Sequence, residues 1–392
     1  MRRHPSVVFV ALAVLAQLAA ADPIEAQQPD STAPKAFPSD SVRRTRKLGR
    51  IVTVDHTAMG DVRTSELVFA PTAFYAPETG FGGGAGLVYS RLVGDHDPDQ
   101  RPSTFQGALQ VTQEQQYTVS SVGDIWTKSD RYRFQYEAIW SHFPQLFFGI
   151  GPSSPADGQR WEPTLQRLAG AAWENVRPHL YIGVQAMAEH EAVALSDPGS
   201  LTTGVVPGQL GWTVAQLGVM ASHDTRDPYY FPYRGVVLNA TLIHADPAYG
   251  SEFTYTRATL EMRAFHSLGY GVLAGHAWVD AVAGDVPFDR LPQIGGAYIV
   301  RGMWDGRFRD KSAMALQGEY RSPAWHRLGF VTFAAVGAVA PSLTTIDASL
   351  FHFAGGAGLR FALTGDDRLN LRIDHGWGRG TSGTYFTIGE AF

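Results

Sequence analysis

The stretch RYRFQYEAIWS, from Arg131 to Ser141, alternates between two kinds of side chain. Its even-numbered positions are apolar and mostly aromatic, whereas its odd-numbered positions up to Glu137 are charged or polar. Successive side chains of a β-strand point to opposite faces, so this period of two predicts a strand with one apolar face and one hydrated face.

The same alternation recurs from about Ser65 to Phe392, for example in STFQGALQV, GVVLNATLIHA and FTYTRATLEMRAF. We find about fifteen to seventeen such segments of about ten residues each. Turn-forming stretches such as GDHDPDQRPS, HADPAYGSE and LTGDDR separate them. The pattern predicts an all-β chain in which helices are nearly absent.

Composition limits the classes of protein that fit. The 392 residues are 44% hydrophobic and only 18% charged, with 42 glycines and a net charge of −5. A slightly acidic chain without a basic face argues against a nucleic-acid partner. The chain has no cysteine, which excludes disulfides, thiolate metal sites, a cysteine nucleophile and the lipidated cysteine of a lipoprotein.

The first residues have the pattern of a secretion signal. MRR is a short basic segment, Ser6–Ala21 is apolar, and three alanines precede Asp22. The apolar core is shorter than the roughly 20 residues that a spanning helix needs, so we expect a cleaved signal peptide over residues 1–21 rather than an anchor. We expect residues 22–60, rich in Pro, Ser and Gln, to be a disordered periplasmic linker.

Two architectures can bury the repeated strands: a secreted protein of several β-sandwiches, or a transmembrane antiparallel β-barrel over residues 61–392. In a barrel the apolar faces meet lipid and the polar faces line the lumen. The signal peptide favours the barrel, and even strand numbers favour sixteen strands. Aromatic residues near strand ends also suit an interfacial girdle, namely Trp126, Trp140, Trp161 and Trp212.

The end of the sequence, GTYFTIGEAF, places Phe386, Ile388 and Phe392 in one alternating phase. We therefore expect these three residues on one face of a last strand. The segment resembles the C-terminal signal of bacterial outer-membrane barrels, through which the barrel-assembly machinery recognises its substrates.

The stretch GGAYIVRGM, which contains Val300, Arg301 and Gly302, resembles the signature of the BamA and TamA outer-membrane protein superfamily, or bacterial surface antigen family. The segments ALQGEYR and GGAGLRFALTGDDRLNLRIDHGWG resemble later strands of that family. DTRDPYYFPYRG resembles its mid-barrel turn, with the matching positions Asp224, Arg226, Asp227, Pro232 and Gly235. The resemblance implies an integral protein of the bacterial outer membrane, in contact with outer-membrane lipids and lipopolysaccharide.

The resemblance also implies a role for Arg301. In the family the signature arginine lies on an extracellular loop that folds back into the barrel and meets acidic residues of the inner wall. The alternation in AMALQGEYR and RLNLRIDHGW places Glu319 and Asp374 on the luminal face, so they are the expected partners. A guanidinium can bind one carboxylate and still reach a second.

This chain departs from the family pattern at three places. Position 303 is Met where the family usually has an aromatic residue, although Trp304 follows. Position 335 is Ala where the family commonly has an aspartate that pairs with the arginine. The stretch before the first strand is also too short for a POTRA domain, so we expect the short branch of the superfamily, with any POTRA domain on a separate periplasmic partner.

Three functions fit these features. The first is assistance to protein insertion or translocation, and the second is a passive channel for small solutes. The third, an enzyme acting on lipid, has little support: Ser222, His223 and Asp224 are adjacent and cannot form a triad along one strand. The histidines lack metal-binding spacing, so we expect no catalytic residue, no metal site and no cofactor.

Overall fold

The structure is a computed structural model that describes residues 65–91, 103–127, 131–195, 198–226, 231–362 and 370–392. The predicted signal peptide (1–21) and linker (22–60) lie outside these residues. The described chain forms nineteen β-strands. They are β1 Ser65–Ala76, β2 Gly80–Arg91, β3 Ser103–Thr112, β4 Tyr117–Trp126, β5 Tyr132–His142, β6 Gln145–Phe147, β7 Gln159–Arg177, β8 Leu180–Leu195, β9 Gly211–Asp224, β10 Gly235–Ala245, β11 Tyr255–Ser267, β12 Val272–Gly284, β13 Gln293–Ile294, β14 Phe308–Arg309, β15 Ser312–Arg321, β16 Leu328–Ala340, β17 His352–Ala362, β18 Asn370–Gly378 and β19 Thr381–Ile388.

Sixteen of these strands form a closed antiparallel barrel, which confirms the predicted fold and strand number. The main sheet has seventeen strands, of which β6 is a three-residue extension along the start of β7. Each wall strand pairs with the next along the chain, and β1 pairs with β19 to close the ring. The strands β13 and β14 form a separate two-stranded ribbon.

The closing pair differs from every other pair in the wall. β1 and β2 are paired at twelve positions, from Ser65 with Arg91 to Ala76 with Gly80. Within the described residues, β1 and β19 share one register pair, Tyr75 with Phe386. We call this boundary the seam.

The alternation predicted from the sequence separates the two faces of the wall. In β5, Tyr132, Phe134 and Trp140 are exposed on the outer, lipid-facing surface. Arg133, between them, points into the lumen, where it binds Asp124 of β4 at 2.7 Å. Each strand therefore has an apolar face for the membrane and a polar face for the interior.

Helical structure in the described residues is limited to single turns of 3-10 helix in the connections, at Ser200–Thr202, Pro247–Tyr249, Phe288–Arg290, Leu343–Thr345 and Ala348–Leu350. No helix in the described part of the chain has the length and apolarity that crossing a membrane requires.

The expected aromatic girdle is wrong at three of its four positions. Trp140 is exposed on the outer face, but Trp126, Trp161 and Trp212 are buried inside the barrel. Trp161 packs edge-on against Phe288, and the guanidinium of Arg290 lies over the Trp212 ring at 4.8 Å. Trp161 and Trp212 thus pack against a loop that enters the barrel, a partner that strand position alone does not reveal, whereas Trp126 lies edge-on to Tyr181 of β8.

Candidate functional site

The connection between β12 and β15, residues 285–311, folds into the lumen, and we call it the inward loop. It contains the 3-10 turn Phe288–Arg290 and the ribbon of β13 and β14. Its apolar side chains Ile294, Val300 and Met303 are buried against small residues of the wall, including Ala315 and Ala335. The small alanine side chains of the wall leave the space that these larger loop side chains fill.

The backbone at the signature stretch is held close to the wall. Gly302 has a φ of +108°, and a β-carbon there would lie 2.7 Å from the backbone nitrogen of Trp377 in β18. Val300 has a positive φ of 58°, and its N–H donates to Oε1 of Gln317 at 3.1 Å. A residue other than glycine at position 302 would push the loop away from β18.

Arg301 is completely buried between two carboxylates of the wall. It pairs with Glu319 of β15 and with Asp374 of β18, and all three side chains have no exposed surface. The guanidinium carbon also lies 3.7 Å from the centre of the Phe333 ring. The loop arginine thus joins two strands that are separated by β16 and β17.

This triad belongs to a larger network at the luminal face. Glu319 also binds Arg321 at 2.7 Å, and Asp374 also binds Arg360 at 2.6 Å. Glu390, after the last strand, binds Arg360 at 2.8 Å. Because each carboxylate serves more than one arginine, loss of one member leaves buried charge without compensation. The arginines of the network are Arg301, Arg321, Arg360 and Arg372.

A second charged cluster fixes the start of the inward loop. Arg290 lies within 3.5 Å of Glu189 and 3.9 Å of Glu191 on β8. Burial raises the pKa of Asp289, which neighbours Arg290 in the loop. A cavity of about 230 Å³ lies between this cluster and the wall. The loop is therefore held at its entrance as well as at Arg301.

The predicted mid-barrel turn follows β9. Asp224 ends that strand and binds Arg226 at 2.7 Å, while Asp227 lies outside the described residues. Pro232 lies in the connection, and Gly235 starts β10 with a φ of +108°. This turn is far from Arg301 in the strand order, so the two signature segments do not form one site.

The last residues depart from the single face expected of them. β19 ends at Ile388, which is exposed on the outer surface, whereas Phe392 is buried. The Phe392 ring stacks on His276 at 5.1 Å, and Arg321 donates to its main-chain oxygen at 2.8 Å. Gly389 has a φ of +92°, and this turn redirects the chain into the lumen.

The departures from the family pattern have local explanations. Ala335 packs against the loop as part of the cluster around Ile294 and Val300. An aspartate there would put a carboxylate against these apolar side chains. Met303 is buried, and Trp304 meets Phe148 edge-on.

Some residues that hold the loop were not predicted from the sequence. Tyr385 of β19 accepts a hydrogen bond from the Gly302 N–H at 3.2 Å and donates to the Met303 oxygen at 3.1 Å. Glu78, between β1 and β2, accepts from the Asp305 N–H at 2.8 Å. The alternation gives Tyr385 the luminal phase, but no sequence signal indicates what it contacts.

Ser222, His223 and Asp224 do not form a catalytic triad with one another. Ser222 donates to Asn239 at 2.7 Å, and His223 lies between Ser222 and Asp224 on the same strand, pointing to the other face. No group of three or more potential metal ligands occurs in the described part of the chain.

In a comparison with family models, the Omp85 superfamily domain matches residues 102–392. A comparison with curated protein sequences gives no match.

Several solved structures share the fold. BamA from Haemophilus ducreyi lacking POTRA domains 1-3 has a TM-score of 0.58 and 12% identity, covering 84% of this chain and 71% of that chain. CdiB from Acinetobacter baumannii has a TM-score of 0.54 and 12% identity, with coverages of 84% and 60%. CdiB from Escherichia coli has a TM-score of 0.55 and 10% identity, with coverages of 85% and 64%. The chain thus spans less than two thirds of either CdiB chain.

Proposed function

The chain belongs to the Omp85 superfamily and is an integral barrel of the bacterial outer membrane, and from this we propose that it assists protein insertion or translocation there. In this proposal Arg301, with Val300 and Gly302, pins the inward loop through Glu319 and Asp374. The barrel acts through binding and conformational change and not as an enzyme.

The observation that carries the proposal is the seam. A strand pair held at one register position, Tyr75 with Phe386, separates at less cost than the pairs of ten or so positions elsewhere. Separation would expose unpaired N–H and C=O groups on β1 and β19. Such edges add a further strand through main-chain hydrogen bonds, which suits capture of an unfolded polypeptide at the membrane.

The inward loop supports this function over that of an open pore. The buried residues of the loop fill the lumen beside β15 to β18, and their apolar contacts and the Arg301–Glu319 ion pair hold the loop against the wall. A passive porin remains the second candidate because a cavity of about 520 Å³ lies at the opposite side of the lumen, lined by Arg133, Asp224 and Glu261 among others. Charges of this kind would set the selectivity of such a channel.

A disulfide across the seam tests the proposal directly. The chain has no native cysteine, so the pair Tyr75→Cys and Phe386→Cys adds the only thiols. We expect the oxidised protein, reconstituted in vesicles, to lose most of its ability to accelerate folding of a second barrel supplied unfolded, and to regain it on reduction.

A matched lock serves as the control. The pair Val219→Cys and Leu242→Cys joins β9 to β10 on the outer face, in a fully paired region. Its oxidation is expected to leave activity unchanged. Equal activity of the seam-locked and reduced proteins would refute a function that depends on seam opening.

The expected partners belong to the same proposal, and they include outer-membrane lipids and lipopolysaccharide around the barrel. The barrel-assembly machinery would engage the segment with Phe386, Ile388 and Phe392, and a separate periplasmic protein would supply POTRA domains. Depletion of the protein followed by an outer-membrane proteome tests this in the cell. Loss of other barrels is expected, and an unchanged set of barrels would argue for the porin.

A further inference from the structure

Four consecutive residues of the inward loop, Gly302–Asp305, reach both sides of the seam. On one side is β19, the last strand. On the other is the turn between β1 and β2, the first hairpin. A segment that binds both sides can hold closed a boundary that its own strand pairing holds weakly.

The β19 side is held by two side chains. The Tyr385 hydroxyl accepts from the Gly302 N–H at 3.2 Å and donates to the Met303 oxygen at 3.1 Å. The Thr381 hydroxyl donates to the Gly302 oxygen at 2.8 Å. These three neutral hydrogen bonds fix the loop against the last strand in a way that pH does not alter.

The first-hairpin side is held by one ionisable group. The Asp305 N–H donates to Oε1 of Glu78 at 2.8 Å, and Glu78 is only 9% exposed. The backbone of the turn is itself anchored, because the buried amide of Gln116 donates to the Glu78 oxygen and the Pro144 oxygen, each at 2.9 Å. The backbone of the turn is therefore held in place, and the property that can change with pH is the charge of the Glu78 carboxyl.

We propose that Gly302–Asp305 is a clamp across the seam, and that ionisation of Glu78 destabilises its first-hairpin side because the charged carboxylate is then buried beside Asp305. The inference rests on the proposed function only for the reason why the seam would open. The contacts that form the clamp do not depend on that function. In this clamp Tyr385 positions the loop against the last strand, and Glu78 positions it against the first hairpin.

The charges around Glu78 favour this behaviour. Burial and the nearby carboxyl of Asp305 together raise the pKa of Glu78 to about 7, and they outweigh the hydrogen bond from the Asp305 N–H, which favours the ionised carboxyl. Burial also raises the pKa of Asp305, against the opposing effect of Arg309. Tyr385 is a further ionisable neighbour of both carboxyls, and a tyrosine does not change charge between about pH 5 and pH 8.

The direction of the pH effect follows from the raised pKa. A solvated glutamate ionises near its ordinary value of 4.5, whereas the clamped Glu78 keeps its proton up to about 7. The closed seam is therefore favoured at low pH. This preference is lost as the pH rises from about 4.5 to about 7, and above pH 7 the equilibrium between closed and open seams no longer changes with pH.

Distance measurements between spin labels on Tyr75→Cys and Phe386→Cys test the clamp in purified protein in vesicles. We expect the ratio of separated to closed seams to rise on the order of tenfold to a hundredfold between about pH 5 and pH 7.5. Glu78→Gln keeps the acceptor oxygen without the charge, so its ratio should stay low at every pH. Glu78→Ala removes the acceptor and should raise the ratio at every pH.

Two controls isolate the effect. Glu114→Gln makes the same change on the exposed neighbouring turn and should keep the wild-type pH profile. Labels on Val219→Cys and Leu242→Cys should report one distance throughout. A pH-independent seam, a rise toward acid pH, or an unchanged profile in Glu78→Gln would each overturn the clamp. Because no second protein is present, these outcomes are separate from failure of the insertion activity.

Discussion

At the scale of the residue, Arg301 shows why an arginine is required. It lies between Glu319 and Asp374 with no exposed surface, on the face of the Phe333 ring. Two carboxylates on different strands need a planar group with several donors, which a lysine ammonium does not provide. The net gain from such a buried triad is small, because desolvation offsets most of the attraction, but the loss of one member is costly.

We expect Arg301→Ala to destabilise the protein by about 3–5 kcal/mol, since two buried carboxylates lose a shared partner. Denaturant unfolding in detergent, followed by tryptophan fluorescence, measures this change. Arg131→Ala is the matched control: its exposed pair with Glu174 should contribute about 0–1 kcal/mol. Near-zero coupling between Arg301 and Glu319 in a double-mutant cycle would contradict the pinning role.

The sequence predicts part of this site. Alternation places Glu319 and Asp374 on the luminal face, and the structure brings both to Arg301. The sequence does not predict that Arg360 and Glu390 complete the network, because the contact between them depends on the chain turning inward after β19. Pairings across a lumen are not encoded in local pattern.

At the scale of the element, the inward loop depends on a close approach between backbones. A β-carbon on Gly302 would meet the Trp377 nitrogen at 2.7 Å and the Gly376 carbonyl carbon at 2.8 Å. The sequence shows a glycine-rich stretch here but not the wall that it touches. Similarly, strand pattern places Trp161 and Trp212 near strand ends, and only the loop explains why they point inward.

Gly302→Ala should displace the inward loop from the wall. Both the positive φ and the contact with β18 oppose a side chain at this position. The expected result is faster trypsin cleavage after Arg307 and Arg309 in the folded protein. Gly250→Ala is the control, because its φ is also positive, at +95°, but no atom lies within 4 Å of the added carbon. Equal cleavage of the two variants would show that the contact does not hold the loop.

At the scale of the whole molecule, the sequence predicts a barrel of sixteen strands, and the structure has that number. The number of strands can be predicted by counting the alternating segments. The number of paired residues between neighbouring strands, which differs around the ring, cannot be predicted in this way. The single pair between β1 and β19 depends on how the two ends of the sheet meet after closure.

Conductance across a planar bilayer distinguishes a filled barrel from an open one. The native protein should conduct weakly and unsteadily, because the inward loop occupies the lumen. Replacing residues 287–309 with a short glycine-serine turn should raise the conductance several-fold. Shortening the connection 246–254, which lies outside the loop, should not. A large, steady conductance that is unaffected by either change would support the porin instead.

The buried position of Phe392 also constrains the order of folding. Its neighbours Phe231, Phe265 and Val272 come from the middle of the chain, many strands away from β19. These contacts are of long sequence separation, so they form only after the intervening wall has curved around the lumen. Docking of Phe392 is therefore a late folding step, and a fluorescent probe on this residue would report when the wall has curved into place.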